Sequence, residues 1–362
     1  MALIEKDFSR IPAILADAGV RHPMIVCGKT VQKRLPESCR AALPDNAVYF
    51  DGFSPNPRYE DIIQGVALFR ESGCDGIVSI GGGSAMDVAK CIKLYCKMPV
   101  GVLCLEQPYE DTGVFHLAIP TTAGTGSEAT HFAVIYYQGV KQSVHHLSIL
   151  PQAVILEPKL LETLPTYQRK ATAMDALCQA IESIWSVYST QESIGYAEEA
   201  IRLLLPKLEA YAAGDNSLIG DMLMGSHLAG KAINITKTTA PHAMSYKLTT
   251  LYGISHGHAV SLSMTGVWAY MAEHPQLCRD PRGAEALASA LARLNALFGV
   301  DTTAQAAEAF LALYNRLELS RPTPTEEEIQ VIVNEVNETR LKNHPLTLDR
   351  AAMEQIYRSV LS

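Results

Sequence analysis

The stretch IVSIGGGSAMDVAK, Ile77 to Lys90, decides the fold. An apolar run ends in Gly81, Gly82, Gly83 and Ser84, and a helix-period segment follows, which reads as strand, tight loop, helix. Three glycines let the main chain approach a ligand closely, and a helix start offers unpaired N–H groups and the positive end of a dipole. That combination suits a pyrophosphate, although the spacing is not the GxGxxG of the standard dinucleotide fold. The competing reading is a tight turn with Ser84 as a helix cap.

Outward from this stretch, β-type runs alternate with helical ones. MIVC (24–27), AVYF (47–50), a helix through Ile62 to Phe69, GIVSI (76–80) and a helix from Ala85 predict βαβ units around a parallel sheet. HLAIP (116–120), FAVIYY (132–137) and AVILEP (153–158) continue the strands, with QGVKQS (138–143) as a hairpin insertion. A second polar loop, IPTTAGTGSEAT (119–130), sets Thr121, Thr122, Thr125 and Ser127 around Gly124 and Gly126. Its hydroxyls and amides suit nucleotide contacts, and the alternative is a turn bonded to its own backbone. Two such loops in one βαβ half favour a nucleotide, and Asp87, in the helix after the glycines, is counted with them.

Beyond Pro158 strand signals nearly vanish. Helices are predicted over Tyr167 to Val187, Glu192 to Tyr211, Ile219 to Ile233, Gly257 to Glu273, Arg282 to Phe298, Thr303 to Leu317 and Glu326 to Asn337. The expectation is an α/β Rossmann-like nucleotide-binding domain over 1–158 and an all-α domain over 159–362.

Composition narrows the function classes. A formal charge of −8, with its 30 Lys and Arg dispersed, provides no basic stripe for nucleic acid. No apolar run approaches the ~18 residues of a membrane helix, and the acidic start MALIEKDFSRIPAIL does not read as a secretion signal. Eight cysteines at irregular spacings, without a CxxC pair, read as reduced core thiols and point to the cytoplasm.

In the helical half, Asp175 and Gln179 are four apart and share one helix face. PHAMSYKLTTLYGISHGHAVSL (241–262) adds His242, Tyr246, His256 and His258. A carboxylate, an amide oxygen and two imidazoles can close around a divalent ion, whereas a lone buried histidine is usually structural.

Five segments, FDGFSPNP (50–57), GGGSAMDVAK (81–90), PTTAGTGSE (120–128), MDAL (174–177) and the stretch from HAMSY (242–246) to SHGHA (255–259), stand in one order and spacing. Together they resemble the iron-containing alcohol dehydrogenase family over nearly the whole chain, a family that shares its fold with dehydroquinate synthase and glycerol dehydrogenases. The resemblance implies a cleft holding NAD(H) or NADP(H) and a divalent metal, Fe²⁺ first, with Zn²⁺ or Mn²⁺ as alternatives. By position it implies Asp175, His242 and His256 as metal ligands, with Gln179 in a fourth place where most members carry histidine. An amide oxygen is a weaker donor than imidazole. The metal is then held more loosely, the reading adopted because three strong ligands remain, or it is lost and hydrogen bonds alone polarise the carbonyl.

Tyr246 stands where many members have a further histidine as proton relay; a phenol can serve, and His258 is the other relay candidate. Gln179, Tyr246, Lys247 and the late TRLKNHP (339–345) resemble the phosphonoacetaldehyde reductase branch. A phosphonate dianion calls for cations, with Lys237, Lys247, Arg340 and Lys342 as candidates. Lys141 resembles a family position near the nucleotide ribose, and Cys27-Gly28-Lys29 lacks the acid that excludes NADPH in some relatives.

The implied activity is hydride transfer between nicotinamide and a small polar aldehyde, such as phosphonoacetaldehyde going to 2-hydroxyethylphosphonate. The alternatives are a dehydroquinate synthase-like lyase using NAD transiently, and a nucleotide-binding relative without metal catalysis. A homodimer or higher homo-oligomer is expected by base rate.

Overall fold

The computed structural model describes residues Leu3–Leu361. Two compact units emerge, Met1–Leu164 and Pro165–Ser362. The division follows the 3-10 turn Pro158–Leu161, whose Leu160 packs against a core of the first unit.

The first unit has eight strands: β1 (Leu3–Glu5), β2 (Pro23–Cys27), β3 (Val48–Phe50), β4 (Gly76–Gly81), β5 (Phe115–Pro120), β6 (Phe132–Tyr137), β7 (Val140–His145) and β8 (Ala153–Ile155). Six form a parallel sheet in the order β1-β8-β5-β4-β2-β3. Successive strand residues feed opposite faces: Met24, Val26 and Ile77 join one core, and Ile25, Cys27, Val78 and Ile80 join the other. A sheet covered on both faces needs continuous apolar runs, which is why MIVC and GIVSI carry no polar alternation.

Helices α1 (Tyr59–Glu71) and α2 (Gly83–Tyr95) flank β4 in sequence. From β2 the chain moves outward to β3, and from β4 it moves the other way to β5. The crevice at the carboxyl ends of β2 and β4 is thus a topological switch point, where open α/β sheets take their ligands. The glycine loop sits at that end of β4.

Two strand expectations need correction. FAVIYY leaves the parallel sheet altogether: β6 pairs antiparallel with β7 in a separate hairpin. Its turn residues Gln138 and Gly139 have φ of 51° and 76°, the paired positive values of a tight two-residue hairpin turn. The hairpin therefore takes VKQSVH as its second strand, and AVILEP supplies β8 of the main sheet. In the other direction, β1 escaped the sequence reading because three residues on a sheet edge carry almost no periodic signal.

The second unit is helical: α3 (Thr166–Trp185), α4 (Gln191–Leu204), α5 (Ile219–Thr236), α6 (Ala240–Tyr252), α7 (His256–Glu273), α8 (Ala284–Phe298), α9 (Thr303–Arg316), α10 (Glu326–Asn334) and α11 (Arg350–Val360), with shorter helices between. The expected single helix from Glu192 to Tyr211 is two, α4 and Leu208–Ala212, because Pro206 cannot donate the next helical hydrogen bond. Helix α3 packs on α4, α5 and α7, and α6 packs on α7. Trp185 and Trp268, both fully buried, meet edge to face at 5.6 Å and fix α3 against α7. No helix among the described residues is long and apolar enough to cross a membrane.

Candidate functional site

In the first unit the two polar loops close on each other. A Cβ built on Gly83 would lie 3.1 Å from the Thr125 methyl, one on Gly82 3.3 Å from the Thr122 hydroxyl, and one on Gly81 2.6 Å from the Ala85 Cβ. Close packing thus excludes a side chain at Gly81 and leaves little room for one at Gly82 and Gly83, none of which has a positive φ. Gly82 caps α2 through its backbone and Ser84 lies inside the helix, so Ser84 is not the cap. The first-turn amides of α2 face the end of β4, with Gly82, Gly83, Ser84, Thr122 and Thr125 half-buried beside them.

Other residues assigned to the cofactor hold the loop's shape. Ser127 donates to Asp87 at 2.9 Å and accepts from Lys90 Nζ at 2.9 Å, and Asp87 also accepts the Val134 amide at 3.0 Å. Thr121 donates its amide to the Gly81 carbonyl at 3.0 Å, tying the loops together. Lys90, which the sequence reading passed over, is fully buried and also donates to Thr130 Oγ1 and the Phe132 carbonyl, completing three bonds. Burial lowers its pKa to about 8, against the opposing charges of Asp87 and Glu128. Lys141 lies on β7, and its charge reaches Asp87.

The second unit assembles the proposed ligands. Asp175 and Gln179 lie one turn apart on α3, His242 on the first turn of α6, and His256 at the first position of α7. One donor atom each from Asp175, His242 and His256 lies within 4.8 Å of the other two. Ligands about 2.0–2.2 Å from one ion sit roughly 3–4 Å apart, so the cluster has the right span. Asp175, Gln179 and His242 are buried, and His256 is half-buried.

The decisive geometry is around His242. Its Nδ1 donates to Glu182 Oε1, and the other Glu182 oxygen accepts the Thr239 hydroxyl at 2.8 Å. With Nδ1 carrying the hydrogen, Nε2 directs its lone pair at Asp175 Oδ1, 3.3 Å away, and neither atom has a hydrogen-bond partner. Two buried acceptors face to face demand a cation or a proton between them. With a proton there, burial opposes the charge, but Glu182 and Asp175 outweigh it and raise the His242 pKa to about 9. Burial alone would raise the Asp175 carboxyl, yet the His242 bond and the neighbouring imidazoles hold it below its usual range. A carboxylate that fixes a ligating histidine from behind is a recurrent support of metal sites.

Glu182, fully buried, was missed in the sequence, although the signal existed. Asp175, Gln179 and Glu182 are spaced 0, 4 and 7, one stripe of α3.

Around this cluster, Tyr246 stacks face to face on His256, the rings 6.0 Å apart and 5° from parallel. Arg340 donates to the Tyr246 hydroxyl at 3.2 Å with its guanidinium 5.3 Å from the ring centre. Of the other proposed cations, Lys237 and Lys342 are exposed and Lys247 reaches Glu335 at 3.9 Å. His258 is buried, with Nδ1 at 3.1 Å from the Tyr167 hydroxyl and Nε2 at 2.7 Å from the Ser320 carbonyl. Burial lowers its pKa. Both nitrogens are engaged in holding α7 to α3 and to the segment after α9.

Comparison with known proteins places the chain in a family. The description of iron-containing alcohol dehydrogenase matches residues 3–158, and that of the family's C-terminal part matches residues 170–361. The phosphonoacetaldehyde reductase of Streptomyces viridochromogenes is 32% identical over 299 residues, 76% of this chain and 74% of that protein. The probable alcohol dehydrogenase EutG of Escherichia coli is 34% identical over 234 residues, 62% of this chain but only 58% of that protein's length. In structure, the sulfoacetaldehyde reductase of Bifidobacterium kashiwanohense, solved with NAD⁺, superposes with a TM-score of 0.87 at 26% identity, covering 100% of this chain and 97% of that one. The chain belongs to the iron-containing alcohol dehydrogenase family of oxidoreductases.

Proposed function

We propose that the protein reduces a small anionic aldehyde to its alcohol with a nicotinamide as hydride donor, phosphonoacetaldehyde being the leading substrate. The observation that carries this reading is the buried pair of His242 Nε2 and Asp175 Oδ1, 3.3 Å apart with His256 beside them, donor atoms whose span fits a divalent cation. Two of the similar proteins named above reduce two-carbon aldehydes bearing a phosphonate or a sulfonate, which supports the substrate class.

Asp175, His242 and His256 would hold the cation, with Gln179 in the fourth place. The amides at the start of α2, with Thr122 and Thr125, would hold the cofactor's pyrophosphate. When bound, the two groups supply hydride transfer and stabilisation of negative charge on the carbonyl oxygen. The chain's own part is positional. Glu182 and Thr239 lock the His242 ring, and α3 holds Asp175 out of water. Tyr246 brings a phenol against His256, and because Arg340 is the donor to its oxygen, the phenolic hydrogen points elsewhere. Tyr246 is therefore the proton relay, while His258, bonded at both nitrogens, serves structure.

The test follows nicotinamide absorbance with NADH and NADPH against phosphonoacetaldehyde, sulfoacetaldehyde and uncharged aldehydes of similar length. The expected result is stoichiometric cofactor consumption, fastest with an anionic aldehyde. Bound NAD without net consumption would point instead to a lyase.

A further inference from the structure

The anionic end of the substrate needs a cation at a fixed distance from the carbonyl, and the second unit holds one guanidinium in such a place. Arg340 lies in the short helix Glu338–Leu341, half-buried, with its guanidinium 5.3 Å from the centre of the Tyr246 ring, and that ring lies parallel to His256. Arg340 is thus a single aromatic ring removed from a ligand of the proposed cation.

Among the described residues no carboxylate pairs with Arg340; its guanidinium donates to the Tyr246 hydroxyl. Several other arginines of this unit do pair with carboxylates, Arg282 with Asp280, Arg293 with Glu198, Arg316 with Glu209 and Arg358 with Glu326, whereas Arg279 bonds main-chain carbonyls and Arg321 the Asn315 amide oxygen. A guanidinium presents five donors in a planar fork, so most of Arg340's donor capacity remains for an oxyanion.

The backbone beneath it is fixed in place. His344 is fully buried and meets Trp185 edge to face at 6.3 Å. Asn343 donates to the Thr238 carbonyl at 3.1 Å and accepts the Val187 amide at 3.1 Å. Arg279 donates to the carbonyls of His344 and Leu341. Thr238 is followed by Thr239, which bonds Glu182, so the segment carrying Arg340 is tied to the residues that orient His242. A cation so anchored reads substrate geometry as well as charge.

We infer that Arg340, beside Tyr246, is the specificity-determining residue that binds the tetrahedral oxyanion of the substrate. The inference rests on the anionic-aldehyde reading above. It applies to phosphonate and sulfonate alike.

The test compares wild type, Arg340→Gln and Arg340→Lys, all metal-loaded, with phosphonoacetaldehyde, sulfoacetaldehyde and propionaldehyde, and measures binding of ethylphosphonate by calorimetry. Loss of a charge-assisted bidentate contact predicts that Arg340→Gln lowers the anionic-to-neutral ratio of kcat/KM roughly 10- to 100-fold, mostly through KM, and weakens ethylphosphonate binding in step. Arg340→Lys retains charge without the fork and should fall between. An unchanged ratio in Arg340→Gln, in an enzyme that prefers anionic aldehydes, overturns the inference and leaves the substrate reading intact. A wild-type enzyme without that preference overturns the substrate reading itself, and the role of Arg340 with it.

Discussion

Glu182 shows how one side chain governs a site it does not enter. Its carboxylate fixes which nitrogen of His242 carries the hydrogen, and the lone pair facing Asp175 follows from that. Glu182→Gln keeps the shape but weakens that bond, and metal affinity should fall about 10- to 100-fold, as for other supports behind metal-bound histidines, in a chelator competition titration. Affinity equal to wild type would remove Glu182 from the site. A second residue-scale prediction concerns His344, fully buried with no hydrogen-bond partner on either ring nitrogen. Burial, helped by the nearby Arg279 charge, lowers its pKa to about 3. The unfolded chain takes up that proton near pH 6.5 and the folded protein does not, so stability is complete above about pH 6.5 and is lost as pH falls toward 3. Between pH 7 and pH 5 the His344 contribution is about 2 kcal/mol. His344→Phe should remove that part of the acid sensitivity in denaturant melts at the two pH values, and an unchanged difference would show that the ring is protonated in the fold.

Helices α3 and α7 make the site by touching almost without side chains between them. A Cβ on Gly257 would stand 2.1 Å from the Ala171 carbonyl oxygen and 2.7 Å from Asp175 Cβ, so only glycine lets His256 approach Asp175. Gly257→Ala must separate the helices, and the expected result is metal affinity reduced at least about 10-fold in a chain that still folds, read by chelator competition and circular dichroism. Wild-type affinity in Gly257→Ala would mean the helices tolerate separation. Elements were legible where periodicity is long: α3, α5, α7, α8 and α9 lie within a few residues of their expected spans. The hairpin at QGVKQS was legible too, but its separation from the main sheet and the strand β1 were not, because a strand's partner is decided by tertiary pairing and turn geometry rather than by its own pattern. Asp175 and Gln179 could be paired by their spacing, and the family resemblance singled out His242 and His256 among the nearby histidines. The positions of Glu182 and Gly257 behind the site, and of Arg340 over Tyr246, depend on which helix faces meet.

At the scale of the molecule, each unit builds its own core and would supply its own half of the proposed chemistry. The first uses a parallel sheet to aim helix amides and hydroxyls at a switch point, and the second uses packed helices to aim a carboxylate and two imidazoles at one another. The division was legible as a change from mixed strand and helix to helix alone, since it reflects two different ways of burying apolar surface. The chemistry rests on the second unit, and its direct test is Asp175→Ala against wild type, each purified without chelator, measured for bound divalent metal and for the rate of aldehyde-dependent nicotinamide oxidation. The account predicts metal in the wild type, its loss in the variant, and a fall in rate of more than roughly 100-fold. Equal rates in the two proteins, with or without metal, would contradict it.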